Sequence, residues 1–233
     1  TSDDSPITTL SDLRGKRIGL SGWQDSGNTW TRALLLEAGV PVDSIQWTLS
    51  RMTAADRIDP ERGKQFWDDR VVFHDPDETP LVDLLKAGKI DAIFQAFMPA
   101  DFYSEGYGLR QLQPDFVSQE KAWFGRAGFV PGIHILAMKA DFIAAHPEAP
   151  RQLCELLRAS QNLWLAKRRK YFETTPWLIA DLIDMAKSLP EDWDPVGLEP
   201  NRRMLDEFAR QQYLQKLTPV QRDADFLFPV KTI

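Results

Sequence analysis

Apolar positions in the first half of the chain alternate between two periods. The run "RIGL" at Arg17–Leu20 reads as a short strand, with Gly15 in the turn before it. A polar stretch follows, and then Trp30, Ala33, Leu34 and Ala38 recur at helical spacing. Ser26, Asn28 and Thr29 are candidate caps for that helix, Gly39 stops it, and Pro41 and Asp43 make the next turn. "SIQWTL" is a second strand, completing a strand–helix–strand unit. The polar, irregular "SRMTAADRIDPERGKQFWDD" predicts a long loop, and "RVVFH" a third short strand. In "TPLVDLLKAGKI" Thr79 is the expected cap, Pro80 the first helical residue and Gly88 the stop. "DAIFQAF" is a fourth strand, apolar enough to be buried on both faces.

Beyond that strand the pattern changes. Met98 to Gly128 is rich in Tyr, Phe, Gly and Pro and has no clear period. "FVPGIHILAMKAD" predicts a strand near Gly132 to Met138. From Asp141 onward the spacing is helical: one helix through "DFIAAHPEAPRQLCELLRASQNLWLAKRRKYF", a second in "PWLIADLIDMAKSL" and a third in "NRRMLDEFARQQYLQKL". The tail "FLFPVKTI" is expected to pack. There is no internal repeat and no low-complexity tract.

Composition narrows the function classes. The chain has 233 residues, 43% of them hydrophobic and 27% charged, enough for one large domain or two modest ones. Its formal net charge is −6, and the densest basic run, "KRRK" at Lys167–Lys170, spreads round a helix as a solvated face. A nucleic-acid partner is therefore not expected. Cys154 is the single cysteine, so no intrachain disulfide forms, and its leucine neighbours predict a buried structural thiol. No run approaches the ~20 apolar residues of a membrane span.

Three places carry candidate chemistry. The turn "SGWQDSGNTWTR" holds Trp23, Gln24, Ser26, Asn28, Trp30 and Arg32 around a helix start, where free N–H groups favour an anion. Arg32, about one turn in, suits a carboxylate, and spacing alone leaves this open beside a plain capped helix with an exposed Arg. His134 in "GIHILAM" faces away from Ile133 and Ile135 on the expected strand; a structural histidine and a proton donor both fit. "FQAFMPADF" sits at the carboxyl end of a predicted parallel strand, which makes Gln95 a candidate cleft residue. His74 and His146 show no metal-ligand spacing with His134, so no metal is expected. Nucleophile-elbow, Walker and dinucleotide fingerprints are all missing.

The order of motifs resembles a known fold. "SPITTLSDLRGKRIGL", a helix, a strand and then "LVDLLKAGKIDAIF" are similar to the second lobe of the type II periplasmic-binding-protein superfamily. "NTWTRALL", "WFGRAGFVPGIHILAMKADFIAAHP" and "GLEPNRRMLDEFARQQYLQKLTP" resemble the 4,5-dihydroxyphthalate decarboxylase family within it. The family pattern falls on Trp30, Arg32, His134, Asn201 and Arg202, with Gln24 in the matching turn. The chain departs from it at Ala127–Gly128, at Trp23, and in the extra residue between Pro131 and His134.

The resemblance implies an α/β fold of two lobes, with mainly parallel sheets and a cleft between them. Residues 1–117 are then the second lobe, and 118–233 a crossover strand with the helical C-terminal part of the first. The strand–helix–strand segment that opens the first lobe in the family has no counterpart here, so an N-terminal portion is expected to be missing. The implied activity is a cofactor-independent decarboxylase for a hydroxylated aromatic carboxylate such as a dihydroxyphthalate. His134 and Arg32 would be catalytic, and Trp23, Gln24, Ser26, Asn28, Trp30 and Gln95 would bind substrate. The alternative is the solute-binding protein of an ABC transporter, taking a small anionic or aromatic ligand. An enzyme would be cytoplasmic and a solute-binding protein periplasmic. A homo-oligomer stays open.

Overall fold

The computed structural model describes residues 1–59, 61, 64–66, 72–171, 174 and 176–230. Four short parallel strands form one sheet: β1 (Arg17–Leu20), β2 (Gln46–Leu49), β3 (Val72–His74) and β4 (Ala92–Phe94). Arg70 and Val71 of the predicted third strand lie outside the described residues. The spatial order is β3-β2-β1-β4. The chain moves outward from β1 to β2 to β3, then returns to the far side of β1. Its direction of winding therefore switches between β1 and β4. Register pairs Ile18 with Trp47 and with Ala92, and Leu20 with Leu49 and with Phe94.

Two helices connect the strands, α1 (Ser26–Glu37) after β1 and α2 (Leu81–Lys86) before β4. Pro80 is the N-cap of α2 rather than its first helical residue. The sheet explains the central apolar runs. Ile18, Leu20, Trp47, Leu49, Val72, Ala92 and Phe94 join Leu13, Trp23, Leu35 and Ile45 in one buried cluster. Met52, Leu81, Val82, Leu85, Ile90 and Leu109 make a second. Gly19 permits the close approach of α2: a Cβ there would stand 2.6 Å from Leu81 Cδ2 and 2.8 Å from Ile90 Cδ1. Asp91, just ahead of β4, clamps β1 by accepting from the Arg17 backbone N–H (2.8 Å), Nε (3.0 Å) and Nη2 (2.6 Å).

The chain divides into two compact units, Thr1–Phe116 with Arg210–Gln221, and Val117–Ala209 with Arg222–Ile233. The sheet and both apolar clusters belong to the first. The second is helical: α3 (Phe116–Ala127), α4 (Ala140–Ala145), α5 (Ala149–Arg168), α6 (Leu178–Ser188), the start of α7 (Leu198–Leu214) and α8 (Ala224–Leu227). Polar ties join these helices. Lys121 on α3 pairs with Asp184 on α6, and Arg202 on α7 is held by Glu199 and by Asp225 on α8. Asp206 accepts from the Ala224 N–H at 2.8 Å. Asn201 donates to the Pro195 and Gly197 carbonyls at 2.7 and 2.9 Å. Asn201 and Arg202, both on the family pattern, thus hold the start of α7 in place.

Other sequence expectations change as well. Gly132–Met138 is not a strand: the segment is open chain outside any ladder. Phe116–Ala127, read as aperiodic, is a helix with none of its residues buried. The long helix from Asp141 is two helices, because His146 caps α4 and Pro147, which cannot continue the N–H ladder, follows it. Cys154 is half-buried rather than buried, and Phe226 and Leu227 in the tail are exposed.

Candidate functional site

In an open parallel sheet, a ligand settles beyond the carboxyl ends of the strands where the winding direction switches. Here that point lies between β1 and β4. The first residues past those strands are Ser21 and Gln95, and the Ser21 hydroxyl donates to Gln95 Oε1 at 3.4 Å. Gln95 Oε1 also accepts from the Ala96 N–H at 3.1 Å. Gln95 was legible in the sequence from its place after an apolar run. Ser21 was missed, because only the strand order makes it Gln95's neighbour, 74 residues away.

The turn from β1 into α1 begins at Ser21. Gly22 makes room for the Asp25 carboxylate, which would meet a Cβ there at 2.1 Å. Asn28 is buried and donates from Nδ2 to the Gly22 carbonyl at 2.7 Å, closing the turn from inside. Thr29 Oγ1 donates to the Asp25 carbonyl at 3.1 Å. The predicted site residues divide by depth. Gln24, Ser26 and Gln95 are partly exposed, as is Ser21, whereas Trp23, Asn28, Trp30 and Arg32 are buried. Trp23 joins the apolar cluster. Its ring lies edge-on to Trp47 at 5.4 Å, and the Arg32 guanidinium sits 4.1 Å above its centroid.

Arg32 is the unusual member. Its exposure is 0%. Nε donates to Gln215 Oε1 at 2.7 Å, and Nη2 donates to the Trp23 carbonyl at 2.7 Å and to Thr29 Oγ1 at 3.5 Å. Every hydrogen-bond acceptor on it is neutral. Burial pushes the Arg32 pKa down to about 9, against a smaller upward pull from the Asp25 charge. It is still a cation at neutral pH. Arg32 Nη1, Trp23 Nε1 and Gln24 Oε1 are buried polar atoms with no hydrogen-bond partner among the described residues. A buried polar atom without a partner costs about 1–3 kcal/mol, and such atoms are rare enough to need a reason. Three of them fall on this one turn and its helix.

His134 is exposed, on the open segment of the second unit. Nothing places it on a strand face. Among the described residues, no group of three or more His, Cys, Asp or Glu is arranged to hold a metal ion. No described helix is long and apolar enough to cross a membrane.

No family model matches the chain. It is 24% identical over 219 residues to the 4,5-dihydroxyphthalate decarboxylase of Comamonas testosteroni, across 92% of this chain and 66% of that protein. It is 29% identical over 101 residues to the 4,5-dihydroxyphthalate decarboxylase of Pseudomonas putida, across 43% of this chain and 39% of that protein. The chain thus spans just under two thirds of the length of the first relative and matches less of the second. The long alignment takes in most of the chain, which is a distant relative of proteins that carry the name 4,5-dihydroxyphthalate decarboxylase.

Proposed function

We propose that this chain belongs to a cofactor-independent decarboxylase of the two-lobed type II periplasmic-binding-protein class, acting on a hydroxylated aromatic carboxylate such as a dihydroxyphthalate. The names of its relatives support the reaction class. The observation that carries the site is the buried Arg32 guanidinium, neutral in all its hydrogen-bond acceptors, behind a turn of polar side chains. Such a cation favours an anion nearby, and the low dielectric around it strengthens that preference.

The chemistry follows from the substrate. In a 4,5-dihydroxyphthalate each hydroxyl is para to one carboxylate. Its lone pair pushes electrons to the ring carbon that bears the carboxylate, and that carbon takes a proton. The resulting dienone loses CO₂ as the carbon–carbon bond breaks, and the bonding pair restores the aromatic ring. The protein must hold the carboxylate, orient the hydroxyls and deliver one proton. Arg32 supplies positive potential to the turn. Ser21, Gln24, Ser26 and Gln95 hold oxygens, while Trp23, Asn28 and Trp30 keep the turn in shape. His134 is assigned the proton delivery by the family resemblance.

The test follows carboxyl-labelled 4,5-dihydroxyphthalate with the protein as its gene encodes it. Release of labelled CO₂, cut about a hundredfold by His134→Gln with binding held within about tenfold, is the expected result. Return of the ligand intact would make the protein a solute carrier for a transporter and end the decarboxylase reading.

A further inference from the structure

Gln215 occupies the place at Arg32 Nε where a carboxylate would make a direct ion pair. Gln215 lies 183 positions further along the chain and is 5% exposed. It belongs to the segment Arg210–Gln221, which returns to the sheet unit after the helices. Its Oε1 accepts from Arg32 Nε at 2.7 Å. Its Nε2 donates to the Thr29 carbonyl on α1 at 2.9 Å and to Gln211 Oε1 at 3.3 Å. Both ends of the amide are therefore engaged, and its orientation is fixed by the carbonyl it must face. A glutamate here would reach the same Nε and neutralise the guanidinium where it stands, while its second oxygen would face the Thr29 carbonyl with no proton to donate.

We infer that Gln215 is a positioning and charge-selecting residue: it holds Arg32 without neutralising it, so that the positive charge is left for a ligand carboxylate at the β1–α1 turn. The inference deepens the proposed function and rests on its reading of this turn. The route from cation to ligand runs through the backbone. Arg32 Nη2 donates to the Trp23 carbonyl, and this polarises the Trp23–Gln24 peptide, making the Gln24 N–H a stronger donor. Arg32 therefore acts on a carboxylate without touching it, as its complete burial requires. Trp23 fixes the geometry by lying flat beneath the guanidinium, which leaves Nε and Nη2 aimed at Gln215 and at the turn.

The experiment compares two isosteric probes, benzoate and benzamide, on the full chain, with melting temperature recorded for each variant. The wild type should prefer benzoate by about tenfold. Gln215→Glu should remove most of that preference, because the cation gains a partner, and should leave benzamide binding unchanged even though the lost donor to the Thr29 carbonyl lowers its melting temperature. Arg32→Gln, which removes the cation itself, should abolish the preference and serves if the first variant does not fold. Structural damage would instead weaken both probes alike. A wild type without preference, or variants that keep the wild-type ratio, would overturn the inference. CO₂ release alongside an unchanged ratio leaves the decarboxylase reading standing without it. A collapsed ratio with no CO₂ release overturns the decarboxylase reading alone.

Discussion

The two units are stabilised in different ways. In the sheet unit, parallel strands are covered well enough that Leu13, Ile18, Leu20, Leu35 and Leu81 have no exposed surface. In the helical unit the described buried residues reduce to Pro150, Leu198, Ala209 and Ala224. Leu156, Leu163, Trp164, Trp177, Ile179 and Ile183 on or beside α5 and α6 are exposed instead, as are Ile133, Ile135 and Leu136 on the open segment. Helices of strong amphipathic pattern thus stand joined by ion pairs and side-chain-to-carbonyl bonds. Periodicity alone does not reveal this difference. It reports that a face is apolar, not that the chain supplies something to bury it.

Substitutions should separate the units sharply. The largest effect is expected at Trp47, 1% exposed and in edge contact with both Trp23 and Phe94. Trp47→Ala should cost about 3–5 kcal/mol in urea unfolding, whereas Trp164→Ala, at a 53% exposed position, should stay within about 0.5 kcal/mol. A loss above 2 kcal/mol at Trp164 would mean the helical unit has a core after all. Gly19→Ala should cost about 1–3 kcal/mol, because α2 must shift to admit a methyl group. Hydrogen exchange gives the same contrast without mutation: amides of β1 and β2 should be the slowest, and those of Ile135–Met138, outside any ladder, among the fastest.

A smaller effect should come from Asp91. The Arg17 guanidinium, with the Arg17 backbone N–H, holds the Asp91 carboxyl below its ordinary pKa of 3.8. A depressed carboxyl adds stability above its unfolded pKa and loses it as pH falls through the folded value. The contribution is therefore full at neutral pH and fades below about pH 4. Arg17 and Asp91 are both partly exposed, so Asp91→Asn should cost only about 1 kcal/mol at pH 7, with the gap from wild type closing at pH 2–3. A gap independent of pH would assign Asp91 a packing role.

Much of the sheet unit was legible because its information is local. The apolar runs at Arg17–Leu20, Gln46–Leu49 and Ala92–Phe94, and the capped spacing between them, need no knowledge of the rest of the chain. The predicted strand at Gly132–Met138 has the right residues, but a ladder also needs a second strand with free hydrogen-bonding groups, which no local pattern supplies. The helix at Phe116–Ala127 does carry spaced apolar residues in Phe116, Val117, Trp123 and Phe124, but they stand within a stretch rich in Gly, Pro and Tyr that hid the period. At the candidate site, turn composition drew attention to Trp23, Gln24, Asn28 and Arg32 directly. It said nothing of their depth, and Arg32, read either as a carboxylate holder or as an exposed residue of a capped helix, lies in the interior. Ser21 and Gln215 were invisible for want of topology, since each meets its partner only through the strand order or through the segment that follows α7.

The unpartnered atoms around Arg32 also bear on how the sheet unit moves. Unpartnered buried atoms lower the cost of a local opening that lets water reach them. An outward swing of Trp23 and Gln24 would let water reach Nη1, Nε1 and Oε1 together, offsetting part of the packing lost against Trp47. An anion bound at the proposed site would oppose that swing and so act as a latch upon the turn.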